Sequence, residues 1–211
     1  MSSTPADTDR LTLYADYVCP FCYLGKQSLN QYLESRDEPL AIDWHPFDLR
    51  RGKRNPDGSI DHDVDDGKDD AYFEQARQNV RRLQAEYDVE MAQELAIEVD
   101  SLPAQQASWY VTREYPDQWA AFDAAIDDAL WQAGRDIGDG TVLAELATAV
   151  GLPADEIRAA VDDEALRVEL REQFHAAQNQ RITGVPTFVF DGQTARGAVP
   201  PAQLERLIEG V

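Results

Sequence analysis

The side chains best suited to chemistry in this 211-residue chain are its only two cysteines, held in Cys19-Pro20-Phe21-Cys22. Thiols at i and i+3 in a first helical turn share a face, and the Cα separation there suits a disulfide, which prefers roughly 5.5–6 Å. A helix N-terminus offers free N–H groups and partial positive charge. A thiolate at Cys19 is stabilised there, which makes Cys19 the nucleophile. Cys22, one turn further in and more covered, is the resolving thiol that attacks a mixed disulfide and releases reduced substrate. Asp16, Pro20 and Phe21 flank the two sulfurs and are the nearest candidates to meet a substrate. Two other readings stay open at this level. In one, the pair is half of a zinc site, for which only His45, His62 and His175 remain as imidazole ligands. It is also compatible with two buried, structural thiols.

The elements that must position the pair are legible as changes of period. Leu11-Thr12-Leu13-Tyr14-Ala15 alternates like a strand and leads into Asp16. Pro20 then opens a helical pattern with Leu24, Leu29, Tyr32 and Leu33 on one face, closed at Glu38-Pro39. Residues 40–47 form a second strand, so the chain starts βαβ. Arg50, Arg51, Lys53 and Arg54 precede a loop with seven Asp between positions 57 and 70. That basic cluster either grips an anionic ligand or balances the Asp run. Residues 71–181 read as mainly helical, with helices expected over 104–115 and 119–133 and one capped by Asp139 or Thr141. From Thr183 the period returns to two. Pro186 to Phe190 is a strand, Asp191-Gly192 a hairpin turn, Thr194 to Gly197 the returning strand, and Pro200 opens a last helix. The ββα end and βαβ start predict one α/β sheet with a helical block inserted between them.

Composition narrows the partners. Forty Asp and Glu face nineteen Lys and Arg, for a net charge of −21, and lysine occurs only at 26, 53 and 68. Such a chain repels nucleic acid and anionic lipid, so neither is expected as a partner. No apolar run reaches the roughly 20 residues of a membrane helix. Residues 1–10 lack the basic start and apolar stretch of a secretory signal, so the expectation is a soluble, cytoplasmic protein, monomer or homodimer. Many carboxylates and few lysines suggest a medium of high ionic strength, as in a halophile's cytosol.

The segment from Asp16 to Lys26, Asp-Tyr-Val-Cys-Pro-Phe-Cys-Tyr-Leu-Gly-Lys, resembles the active-site segment of the DsbA-like oxidoreductases. It is most similar to the FrnE branch, which includes relatives of 2-hydroxychromene-2-carboxylate isomerase. Trp44-His45-Pro46-Phe47, Asp136-Ile137-Gly138-Asp139 with Val142-Leu143, Gly184-Val185-Pro186-Thr187-Phe188 and Gly197-Ala198-Val199-Pro200-Pro201 resemble the same branch in the same order. The resemblance implies a thioredoxin-like fold: residues 1–70 and 182–211 as a discontinuous thioredoxin-like domain, and 71–181 as an all-helical insertion domain. It implies a cis Val185–Pro186 bond beside the cysteines, with Pro186 part of the catalytic set and the Val185 backbone pairing with substrate. It implies disulfide-containing proteins or small thiols as partners, and no cofactor or metal beyond the Cys19–Cys22 pair.

Departures matter too. Leu13 stands where classical thioredoxin-like enzymes often carry a buried acid, so Asp16 is left either to assist proton transfer or to cap the turn. Phe21 replaces the histidine that helps DsbA stabilise its thiolate, so the pair should be less oxidising than in DsbA. The isomerase relatives use a serine and glutathione at the position of Cys19. A glutathione- or small-thiol-dependent isomerase or transferase acting on a small aromatic substrate is therefore the alternative function. Asn55, Gln105 and Gln106 fall where the family places polar residues near the site. Trp109, Tyr110, Trp119, Phe122, Trp131 and Phe174 are core candidates, some of which could face a groove. His175 is a surface or packing residue.

The charge balance is testable: raising KCl from about 0.1 M to about 2 M should raise the thermal unfolding midpoint by about 4 °C or more, as self-repulsion is screened. A midpoint that stays flat or falls contradicts the high-salt reading.

Overall fold

The computed structural model describes residues 10–210. The expectation about a leader falls almost wholly on residues outside that range. Four strands and eight helices follow one another as β1 (Arg10–Ala15), α1 (Pro20–Ser35), β2 (Ala41–Pro46), α2 (Asp70–Tyr87), α3 (Leu102–Glu114), α4 (Pro116–Trp131), α5 (Gly140–Ala149), α6 (Ala154–Asp162), α7 (Glu164–Asn179), β3 (Thr187–Phe190), β4 (Gln193–Arg196) and α8 (Pro201–Glu209). A single 3-10 turn spans Arg51–Lys53. The strands form one sheet in the order β2-β1-β3-β4. β1 is parallel to β2 and antiparallel to β3, and β3 is antiparallel to β4. This is the DsbA-like thioredoxin fold. Among the described residues no helix is long and apolar enough to cross a membrane.

β1 is central in the sheet, and both faces of its second half are covered. Leu11 and Leu13 point into the main core with Leu24 and Leu29 of α1. Tyr14, on the opposite face, joins Phe47, Ala177 and Ile182, and its hydroxyl donates to Gln180 Oε1 at 2.5 Å. The end of α7 thus covers one side of the sheet while α1 covers the other. The hairpin from β3 to β4 turns on Asp191 and Gly192, both with positive φ (46° and 75°). A type I′ turn requires that conformation, and an Asp-Gly pair supplies it most readily.

The helical block departs from expectation at its prolines. Helices expected over 104–115 and 119–133 run instead over Leu102–Glu114 and Pro116–Trp131. Pro103 and Pro116 both lie in first turns, where no N–H is needed, so each helix starts two or three residues earlier than expected. Asp139, not Thr141, caps α5 by accepting from Thr141 N. Residues 88–101 form no helix.

Buried polar contacts join the block to α1. Lys26 Nζ lies 2.8 Å from Asp123 Oδ1 and 2.8 Å from Asp127 Oδ2, both on α4. The Tyr17 hydroxyl donates to Asp123 Oδ1 at 2.8 Å and sits 2.8 Å from Ser108 Oγ, which accepts from Trp119 Nε1 at 2.9 Å. Burial alone would lower the Lys26 pKa, but the two carboxylates outweigh it and hold the ammonium above its ordinary value. Removing the cation leaves two buried carboxylates facing each other. Lys26→Met should therefore cost about 3–5 kcal/mol in urea unfolding, whereas Arg82→Ala, which breaks an exposed pair with Glu86, should cost under about 1 kcal/mol. Equal effects of the two substitutions would contradict this account of the junction.

Candidate active site

Cys19 is the N-cap of α1. Its backbone is extended (φ −91°, ψ 110°), and its Sγ accepts the Cys22 N–H at 3.3 Å. Pro20 follows at the first helical position, and the first turn holds no acidic side chain. The sulfur therefore occupies the place of a capping oxygen, where an anion is favoured. Cys22 is only 2% exposed. Burial pushes its thiol well above the ordinary cysteine range, and its hydrogen bond to Cys19 and the charge there add to the rise. Cys19 is itself only 4% exposed, but it lines a groove and Cys22 does not, so the two thiols differ in access rather than in overall burial.

Val185–Pro186 is a cis peptide bond. The Cys19 thiol donates to the Val185 carbonyl at 3.7 Å. Gly197 N donates to Pro186 O at 2.8 Å, which ties this loop to the end of β4. Gly25, on α1, lets the loop approach: a Cβ there would stand 3.0 Å from Pro186 Cγ and 3.3 Å from Phe188 Cζ.

Asp16 differs from the expectation of substrate contact. It is 0% exposed and does not line the groove. Its carboxylate accepts from Val18 N at 3.3 Å and Leu49 N at 2.9 Å, and its carbonyl accepts from Cys19 N at 3.1 Å. It braces the turn that delivers Cys19, because a buried carboxylate between two free amides satisfies both. Burial and the charge of Asp48 push its pKa up to about 6, against the opposing hydrogen bonds of Ser101, Leu49 and Val18.

The groove over Cys19 has a volume of about 210 Å³. Val18, Pro20, Phe21 and Val185 share its floor with the sulfur, so three of the four expected substrate contacts stand there. One wall is Tyr72 and Phe73 of α2; the other is residues 95–97. Arg50 holds that second wall by donating to the carbonyls of Ala96, at 2.6 Å, and Ile97. None of the six aromatics singled out in the helical block lines it. Tyr72, 51% exposed, and Phe73 were missed, although adjacent aromatics straight after an Asp-rich loop signal an apolar edge. The apolar triplet Leu95-Ala96-Ile97 between two glutamates signals the same.

Other candidates lie elsewhere. Gln106 Nε2 donates to the carbonyls of Ala160 and Asp163, both at 2.7 Å, so it fastens α3 to the end of α6. Gln105 is buried against Ser101, and Asn55 bonds Ser59 within its own loop. Arg54 is committed to Asp48 at 2.6 Å and Asp100 at 2.8 Å. His175 is exposed. Among the described residues no group of three or more His, Cys, Asp and Glu side chains is placed to hold a metal ion.

Comparison with known proteins follows this geometry. A sequence model of the DSBA-like thioredoxin domain matches residues 10–209. The uncharacterised protein YwbO of Bacillus subtilis is 26% identical over 207 residues, covering 95% of this chain and 96% of YwbO. The probable DsbA oxidoreductase SCO1869 of Streptomyces coelicolor superposes with a TM-score of 0.75 at 21% identity, over 96% of this chain and 89% of that one. The cytosolic disulfide reductase DsbM of Pseudomonas aeruginosa, in its structure with GSH, gives 0.62 at 20% identity, over 94% and 92%.

Asp16 makes the site's pH dependence specific. Its folded pKa of about 6 lies above the ordinary 3.8, so the folded state keeps a proton the unfolded chain has released. Its contribution to stability is present below about pH 4 and is lost as pH rises through about 6, by roughly 3 kcal/mol in all. Asp16→Asn should gain about 2–3 kcal/mol on the native protein between pH 4 and pH 7 in urea unfolding. Parallel pH curves would contradict the buried-carboxyl account.

Proposed function

We propose that this chain, which belongs to the DSBA-like thioredoxin domain family, is a dithiol–disulfide oxidoreductase that reduces or isomerises disulfides in the cytosol. The observation that carries the reading is the different placing of two buried thiols: Cys19 caps a helix and lines a groove, while Cys22 sits one turn behind it and does not reach the groove. The Cys19 thiolate attacks one sulfur of a substrate disulfide. A Cys19–substrate disulfide forms, and the other substrate sulfur leaves as a thiolate and takes a proton. Cys22 then gives up its proton, for which the Asp16 carboxylate is the nearby acceptor above about pH 6. The Cys22 sulfur attacks the Cys19 sulfur, the second substrate thiolate leaves, and two electrons have passed from the dithiol to the substrate. A small-molecule thiol or a partner dithiol must reduce the pair again.

Pro186 and Val185 frame the attack. Proline offers no N–H to compete for the sulfur, and the Val185 carbonyl, which accepts from the Cys19 thiol, gives up that bond when the thiol ionises and can then pair with an extended substrate chain. The absence of a histidine between the cysteines supports a reductant's role over a strong oxidant's, and DsbM, a cytosolic disulfide reductase, shares the fold. The motifs resemble the FrnE branch, and the acidic surface suits a salty cytosol. One-nucleophile isomerase chemistry would leave the buried Cys22 without work.

Insulin-disulfide reduction in high salt tests the proposal. The native protein should turn over, Cys19→Ser should fall below about 1% of it, and Cys22→Ser should accumulate a mixed disulfide at Cys19. Undiminished activity in Cys22→Ser, or no redox cycling in any form, would overturn it.

A further inference from the structure

The chain has three lysines, and two of them, Lys53 and Lys68, line the groove over Cys19. The third, Lys26, is buried between Asp123 and Asp127. In a chain of net charge −21 this concentration of ammonium groups is local and specific. Both groove lysines reach one carboxylate. Lys53 Nζ lies 3.5 Å from Asp66 Oδ1, and Lys68 Nζ lies 2.8 Å from Asp66 Oδ2. Lys68 also stands 5.9 Å over the ring of Tyr72, the exposed aromatic of the wall. Asp66 is the only carboxylate among the lining residues, so two ammonium groups share one anion, with Arg50 beside them. Two of the neighbouring acids point to backbone amides instead: Asp65 accepts from Gly67 N and Asp69 from Tyr72 N.

We propose that Lys53 and Lys68 form an anion subsite beside Cys19 that selects small disulfides carrying a carboxylate, and that Asp66 is the internal counter-ion with which that carboxylate competes. The proposal rests on the reading of Cys19 as nucleophile and deepens it by naming the substrate class. Three arguments converge. The clasp holds one positive charge more than Asp66 neutralises, and it lies in a mainly apolar groove, where charge is less screened than in bulk solvent. The three side chains remain one-quarter to one-third exposed, so exchanging one carboxylate for another costs little. The groove of about 210 Å³, walled by Tyr72 and Phe73, suits a small, flat, apolar body with a charged edge.

Two aryl disulfides separate charge from thiol reactivity. 5,5′-Dithiobis(2-nitrobenzoate) carries a carboxylate on each ring, while 4,4′-dithiodipyridine is neutral. In each case the Cys19 thiolate forms a mixed disulfide and releases one aryl thiolate. Cys22 then closes the Cys19–Cys22 disulfide and releases the second. The readout is the ratio of the anionic to the neutral rate in the reduced full-length protein at low salt. Any change in Cys19 reactivity moves both rates together and cancels. Lys53→Gln with Lys68→Gln should lower the ratio about fivefold, Asp66→Asn should raise it about twofold, and 1 M KCl should shrink both changes. A ratio unchanged in the double lysine variant overturns the subsite while leaving the redox reading standing. Failure of Cys19 to react with either reagent overturns both.

Discussion

A sulfur stands where the N-cap oxygen of a helix usually stands, and the rest of the structure serves that placement. The Cys22 amide points at Cys19 Sγ because Cys19 has extended backbone and Pro20 begins the helix. The Cys19 sulfur takes the amide hydrogen bond that a capping oxygen would take, which fixes its position at the mouth of the first turn of α1. The same geometry makes the second thiol different in kind. One helical turn carries Cys22 from the groove into the core, where burial opposes its ionisation. Reactivity and protection thus come from one turn of helix and its direction relative to the sheet.

Holding that turn in place requires contacts from three directions. Asp16 accepts from the amides of Val18 and Leu49, which sets the path from β1 into α1. The cis Val185–Pro186 loop closes against α1 because Gly25 has no side chain to obstruct it. On the far side Lys26 and Tyr17 bind Asp123 of α4, and Trp131 Nε1 donates to the Tyr17 carbonyl at 3.0 Å. These last contacts are polar and buried, so they specify one docking of the helical block over α1 more sharply than apolar packing would. The end of α4 in turn holds the segment that leads to residues 95–97, because Ala92 N donates to the Trp131 carbonyl and Gln93 Nε2 to the Leu130 carbonyl.

Much of this was legible in the chain. The alternation of Leu11 and Leu13, the Asp191-Gly192 turn and the i, i+3 cysteines are local signals, and each formed the element it indicated. The helix starts at Pro103 and Pro116 were misplaced because proline ends one helix and opens another equally well, and local sequence does not say which. Asp16 braces the turn, one of the two roles its sequence position allows, but it is buried and does not face substrate. Its position depends on the amide of Leu49, 33 residues away, which no local pattern encodes. The apolar edges at Tyr72-Phe73 and Leu95-Ala96-Ile97 are visible in the sequence, but not that they face each other across Cys19. Tyr72, Ile97 and Lys68 meet Cys19 only through tertiary packing, and the helices between β2 and β3 had no individual reason to be chosen.

Cys19 and Cys22 should form a single reversible two-electron couple. Equilibration against a series of glutathione redox buffers, followed by alkylation and mass mapping of both cysteines, tests it directly. Both thiols should disappear together in one transition, at a potential below the roughly −120 mV of DsbA. Cysteines that label independently of each other, or a Cys22 thiol that stays reduced at every buffer potential, would contradict it.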